Sequence, residues 1–188
     1  MSQSFVFVTG NLKKVHWLEK FLGQKVDHHE LDLVEVQSLD SQEVVRYKAI
    51  EAYRLLKKPV LIEDTSLAFN ALNGLPGSFI KFFLEQIGND GICQMMSAYN
   101  DKSAVSSVIY GLYDGKTLHS FNAEITGTIR DKPKGSFGMG WDPIFIPDGY
   151  ANTYAQMNEE EHAESSVRNK AVQKLAAFLK DGKNWGEL

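Results

Sequence analysis

The apolar positions change period several times along the chain, and each change marks an element. Ser4 to Thr9 (SFVFVT) is a short β-rich run closed by Gly10-Asn11, after which Leu12, Val15, Leu18, Phe21 and Leu22 recur at helical spacing. The pattern predicts strand, tight turn, helix. Lys25 to Val36 alternates apolar and polar positions and predicts a second strand. Ser41 to Lys57 returns to helical periodicity through Val44, Val45, Ala49, Ala52 and Leu56, with Ser41 or Asp40 as the cap. Pro59 to Ile62 (PVLI) is wholly apolar and predicts a buried strand that stops at Glu63-Asp64-Thr65. A buried strand that delivers carboxylates at its C-terminal end is a usual way to build a site on an open α/β sheet.

Gly74-Leu75-Pro76-Gly77 predicts a turn-rich loop, followed by helical stretches at Phe79 to Ile87 and Gly91 to Ala98. Ser103 to Tyr113 and Leu118 to Arg130 predict two long strands joined around Asp114-Gly115, a hairpin. Gly135 to Gly149 reads as a loop carrying a short strand at Ile144 to Ile146, and Ser165 to Leu179 closes the chain with an amphipathic helix. Parallel crossovers combined with a long hairpin point to an α/β protein with a mixed sheet.

Composition narrows the class. The chain has 188 residues, 43% of them hydrophobic, enough for one domain over 1–188 with a core that needs no staple. Cys93 is the single cysteine, so no internal disulfide can form. The start MSQSFVFVTGN lacks the basic and long apolar regions of a secretory signal, so a cytoplasmic protein is expected. No apolar run approaches the roughly 18 residues of a spanning helix, so no membrane partner is expected. The net charge of −4 argues against general nucleic-acid binding while leaving room for a small anion held by local lysines.

Candidate chemistry lies at the element ends. Thr9-Gly10-Asn11 before Lys13-Lys14 puts a glycine turn and two lysines at a helix N-terminus, where N–H groups, the helix dipole and ammonium groups make a phosphate cradle. The plain alternative is a turn and a solvated helix face. Glu63-Asp64-Thr65 offers carboxylates to a hard cation, and Glu35 stands at the end of the second predicted strand. Mg²⁺ suits such oxygen ligands because it keeps waters and bridges phosphates. Equally, these acids can serve as caps or solvated loop residues. His28-His29 lack zinc spacing and read as surface residues. Lys48, and Lys81 within FIKFF, each have an ordinary reading as a snorkelling lysine. Gly138-Met139-Gly140-Trp141-Asp142-Pro143 suits a pocket for a planar ring or, as readily, a loop held down by a buried aromatic. Ser166, Arg168 and Lys170 can cap the last helix and meet an anion.

In this order, FVTGNLKK, DLVE, PVLIEDTSL, NGLPGSFIKFFLE, GWDPIF, PDGYANTYAQM and SVRNKA resemble the inosine triphosphate pyrophosphatase family, from Phe5 to about Phe178. These are house-cleaning enzymes that act on noncanonical purine nucleoside triphosphates. The resemblance implies a central mixed sheet with flanking helices, two lobes around a nucleotide cleft, and a homodimer. It implies that Thr9, Asn11 and Lys14 form the triphosphate turn and that Glu35 and Asp64 bind metal, with Asp64 also catalytic. Thr65, Lys48 and Lys81 then meet the nucleotide, Trp141 and Asp142 belong to the base pocket, and Arg168 reads the purine.

Three positions depart from the family's pattern, which has Phe at Met139, Lys at His162 and His at Val167, all of them nucleotide contacts. The implied function is Mg²⁺-dependent hydrolysis of ITP, dITP and XTP to monophosphate and pyrophosphate. The alternatives are a pyrophosphatase with shifted or relaxed base preference and a nucleotide-binding module without hydrolysis.

Overall fold

The structure, a computed structural model, describes residues 4–181. Strands β1 (Val6–Val8), β2 (Asp27–His29), β3 (Val60–Phe69), β5 (Ser103–Tyr113), β6 (Leu118–Ile129) and β7 (Phe145–Pro147) form a sheet in the order β2-β1-β3-β5-β6-β7, and β4 (Pro76–Gly77) pairs with β3. β1 is parallel to β2 and β3, whereas β3–β4 and β6–β7 are antiparallel, so the sheet is mixed as expected. The helices are α1 (Leu12–Leu22), α2 (Ser41–Leu56), α3 (Ile80–Gln86), α4 (Gly88–Met96), α5 (Glu159–Ser165) and α6 (Val167–Lys180). No helix among the described residues is long and apolar enough to cross a membrane.

The chain divides into two compact units. The first holds the chain through Asp64, Val108–Asn122 and the chain from Lys170; the second holds Thr65–Ser107 and Ala123–Asn169. In the first, Val6 and Val8 of β1 and Val60 and Ile62 of β3 pack against Val45 and Ala49 of α2. In the second, Leu67, Phe69, Ile80, Ile92, Phe145 and Tyr154 share a core. Each fully buried aliphatic or Phe side chain contributes roughly 1.5–3 kcal/mol.

The helix signals act as read. Asn11 caps α1, its Oδ1 accepting from the N–H groups of Lys13 at 3.0 Å and Lys14 at 3.4 Å, and Gly23 ends the helix at φ 68°. Of the two candidate caps for α2, Asp40 is the one used, accepting from Gln42 N–H at 2.8 Å. Asp114 turns the β5–β6 hairpin by accepting from Lys116 and Thr117 N–H.

Three expectations need correction. The strand expected over Lys25 to Val36 is only Asp27–His29. Beyond it the backbone leaves the ladder: Val34 N–H donates to the Glu51 carboxylate on α2 at 3.0 Å, and Leu31 and Leu33 pack from a loop onto the core. The strand expected to stop at Ile62 continues to Phe69, because Leu67 and Ala68 pair with the Pro76–Gly77 segment read as a loop. Glu63-Asp64-Thr65 is therefore mid-strand. Finally, α5 had no place in the periodic reading; a reciprocal cap between Asn158 and Glu161 starts this short polar helix.

Candidate active site

In the first unit, strand parity decides where the carboxylates go. Val60, Ile62 and Asp64 share one side of β3, the side that α2 covers, and Leu61 and Glu63 share the other. Glu63 is buried. Its Oε1 lies 3.2 Å from Lys14 Nζ, and its Oε2 accepts from the buried Tyr110 hydroxyl at 2.9 Å. This residue, read from the sequence only as a carboxylate open to a hard cation, thereby orients the lysine at the start of α1. An apolar strand carrying one acid on its inward parity was the available signal.

Asp64 looks toward α2. Lys48, Lys14 and Glu35 all act on it electrostatically. Burial pushes its pKa up to about 6, against the pull of Lys48, Lys14 and the nearby Ser41 hydroxyl. Its Oδ2 is buried with no hydrogen-bond partner. Glu35, expected at a strand end, sits instead on the loop tied to α2, where its Oε1 is 2.8 Å from Lys48 Nζ. Around the turn, Thr9 Oγ1 accepts from Asn11 N–H at 3.1 Å, Gly10 is exposed, and Lys13 projects to solvent. The structure thus brings together Asn11, Lys14, Glu35, Lys48, Asp64 and, unexpectedly, Glu63.

Among the described residues no group of three or more His, Cys, Asp or Glu side chains forms a metal cage. The donors still suit Mg²⁺, which takes one or two carboxylates and completes its shell with water and substrate phosphates. An orphaned, buried carboxylate oxygen on Asp64 is what such a cation would satisfy.

The second unit gathers other predicted residues. Gly138 is at φ 86°, and any Cβ there would collide with Asp142. This close approach lets Asp142 Oδ2 accept from Met139 N–H at 2.6 Å, folding the loop back on itself. Burial pushes Asp142 up to about 6, against that bond and the Arg168 charge. Arg168 Nη1 lies 3.4 Å from Met139 Sδ. His162 is edge-on to Phe137 at 5.1 Å and to Tyr154 at 5.4 Å, and burial with the Arg168 charge lowers its pKa, which keeps it neutral at pH 7. Trp141 is half-buried on the core. Val167 is buried, and its N–H bonds the Tyr154 hydroxyl, which itself donates to Ser165 O. Ser166 caps α6 through Asn169 N–H. Asn89 donates to Gly140 O at 3.0 Å and braces the loop. Lys81 is not gathered into this group; it is exposed on α3, 4.0 Å from Glu85. Thr65, the residue after Asp64, is half-buried in β3.

A mixed α/β sheet carrying a capped helix N-terminus with flanking lysines, and carboxylates with an open oxygen beside them, is the equipment of a phosphate-handling enzyme. The chain belongs to the Ham1 family, whose model matches residues 5–178. It is 41% identical over 186 residues to the inosine triphosphate pyrophosphatase of Schizosaccharomyces pombe, covering 97% of this chain and 98% of that protein. It is also 41% identical over 181 residues to the Yarrowia lipolytica inosine triphosphate pyrophosphatase, covering 94% and 95%. Its fold is similar to that of a HAM1 protein from Coxiella burnetii, with a TM-score of 0.80 at 21% identity over 95% of this chain and 99% of that one. The family resemblance read from the sequence holds.

Proposed function

We propose that this chain is a nucleoside triphosphate pyrophosphatase that hydrolyses ITP, dITP and XTP to the nucleoside monophosphate and pyrophosphate, with Mg²⁺ as cofactor. The observation that carries this reading is the half-buried Asp64 carboxylate, its Oδ2 buried and unpartnered, set among Lys14, Lys48 and Glu35. Family membership and relatives bearing the name inosine triphosphate pyrophosphatase support it.

In this mechanism the N–H groups at the start of α1, ordered by Asn11, and the Lys14 ammonium hold the triphosphate. Lys48 neutralises charge that develops as the α–β anhydride bond breaks, and Lys81 gives up its weak exposed pair with Glu85 to meet phosphate. Thr9, Gly10, Lys13 and Thr65 complete the nucleotide contacts. Glu35 and Asp64 would hold Mg²⁺, which would supply charge screening and Lewis-acid polarisation at the phosphoryl group. Asp64 accepts a proton from the water that attacks the α-phosphorus, and pyrophosphate leaves. At the base end, Arg168, with Met139, Gly140, Trp141 and Asp142 around it, favours a 6-oxo acceptor. A 6-amino group would leave buried donors unmet, at about 1–3 kcal/mol, or roughly ten- to a hundredfold.

A second reading, relaxed base preference, is favoured by Val167 and His162. Val167 is apolar and buried, and neutral His162 provides no fixed charge. We further assign the whole of 1–188 to one catalytic domain that works as a cytoplasmic homodimer, with neither nucleic acid nor membrane as partner.

Product analysis tests the proposal: pyrophosphate release from ITP with Mg²⁺ is expected, and orthophosphate release or no turnover would overturn it. Asp64→Asn keeps the shape but loses the charge, so turnover should fall below about a tenth while the protein stays folded. Retention above that level, a loss under ~1.4 kcal/mol, would remove Asp64 from the chemistry.

A further inference from the structure

The second unit carries a groove of about 680 Å³ that shares no residue with the candidate site residues above. Lys102, Arg130, Lys132 and Lys134 line it, with Asp131 as the single acid among the lining residues. This local excess of positive charge stands on a chain whose net charge is −4. Lys102 is spoken for in part, because its Nζ donates to Met96 O at the C-terminal end of α4, at 2.5 Å. Arg130, Lys132 and Lys134 make no ion pair among the described residues.

Their backbone is not loose. Arg130 N–H donates to Ile144 O at 2.8 Å, Lys134 N–H to Pro143 O at 2.8 Å, and Thr153 Oγ1 to Lys134 O at 2.8 Å. Pro133 stiffens the segment between them. Three like charges held on a fixed backbone, with Asp131 as the single acid in the lining, keep a net positive charge that an added anion would offset. Ile129, Pro133 and Ile146 give the groove an apolar strip beside the cations, and Thr128 adds a hydroxyl. The volume falls in the range of small-molecule sites, roughly 300–1,000 Å³.

We propose that this groove is a second anion site, which takes a polyphosphate-bearing ligand of nucleotide size through Arg130, Lys132 and Lys134. Inorganic polyphosphate and a nucleoside triphosphate present the same phosphate chemistry, and the apolar strip tells them apart.

The test is an amide-resolved NMR titration of the full ¹⁵N-labelled chain with inorganic tripolyphosphate at low salt, without divalent metal. Saturable shifts are expected at Thr128, Ile129 and Ile146, separate from those around Asn11 and Lys14. The triple variant Arg130→Gln/Lys132→Gln/Lys134→Gln should weaken the groove response at least tenfold while leaving the Asn11–Lys14 response and ITP turnover unchanged. The milder Lys132→Gln/Lys134→Gln pair, both exposed, gives the same reading with less risk to the fold. A tighter groove response to ITP than to tripolyphosphate identifies a nucleotide as the ligand; the reverse order identifies inorganic polyphosphate, and either supports the site. Groove amides that stay still, or that move equally in wild type and variants, overturn it. A single-stranded oligonucleotide that saturates the groove more tightly than either small anion would also overturn it.

Discussion

Replacing Glu63 by glutamine tests whether the buried acid orients Lys14 for phosphate. The Glu63 side chain is 1% exposed and the Lys14 side chain 19%, with 3.2 Å between Oε1 and Nζ. Breaking a fully buried ion pair by removing one charge costs about 3–5 kcal/mol. Lys14 keeps some contact with water and remains in the field of Asp64, so a stability loss of about 1–3 kcal/mol is expected from Glu63→Gln. The amide oxygen can still accept from Tyr110. Function should suffer separately. A lysine released from its anchor must be ordered again when substrate binds, at up to ~2 kcal/mol of side-chain entropy. That predicts a KM for ITP raised roughly 5- to 30-fold, with little change in kcat, because Asp64 is untouched.

Tyr110→Phe is the control. It deletes the 2.9 Å bond to Glu63 and should lower stability by about 1.5–3 kcal/mol, yet it leaves the Glu63–Lys14 pair in place and KM near wild type. Urea denaturation and steady-state ITP hydrolysis on wild type, both variants and Lys14→Met complete the comparison. An unchanged KM in Glu63→Gln, or an equal rise in Tyr110→Phe, would show that Glu63 serves only the fold.

Glu35→Gln breaks the 2.8 Å pair with Lys48 and removes the charge of one of the two proposed carboxylate ligands, so the Mg²⁺ concentration for half-maximal activity should rise several-fold; an unchanged metal titration removes Glu35 from the site. Asp142 holds its proton more tightly folded, at a pKa of about 6, than unfolded, near 3.8. Its contribution to stability is therefore present below pH ~4, falls as pH rises to about 6, and is flat above, a swing on the order of 3 kcal/mol at most. Asp142→Asn should lose that dependence, and urea midpoints from pH 4 to 7 with a constant difference between the two proteins would refute it. Val167→His adds one neutral hydrogen-bonding group at the start of α6 and should raise the ITP/ATP ratio of kcat/KM roughly two- to tenfold. No change in any base ratio would place position 167 away from the base.

Local patterns in the chain determine much of this protein. The spacing of Leu12, Val15, Leu18 and Leu22 makes α1, Asn11 caps it, and Gly23 stops it; these depend on neighbours within a few residues and need no tertiary partner to be legible. The same holds for the Asp114-Gly115 hairpin and for α2. The motifs that resemble the pyrophosphatase family are likewise linear strings. Tertiary structure decided what depends on pairing between distant segments. Alternation over Lys25 to Val36 could not say that Val34 would bond Glu51 rather than a strand, and so it misplaced Glu35. The charges of Glu63 and Asp64 looked like a strand end because local pattern treats buried acids as a break. Lys14 and Tyr110, far apart in sequence, satisfy Glu63 inside the strand. In the second unit, the sulfur of Met139 beside Arg168 and the ring contacts of His162 join residues whose spacing carries no period, so only folding brings them together.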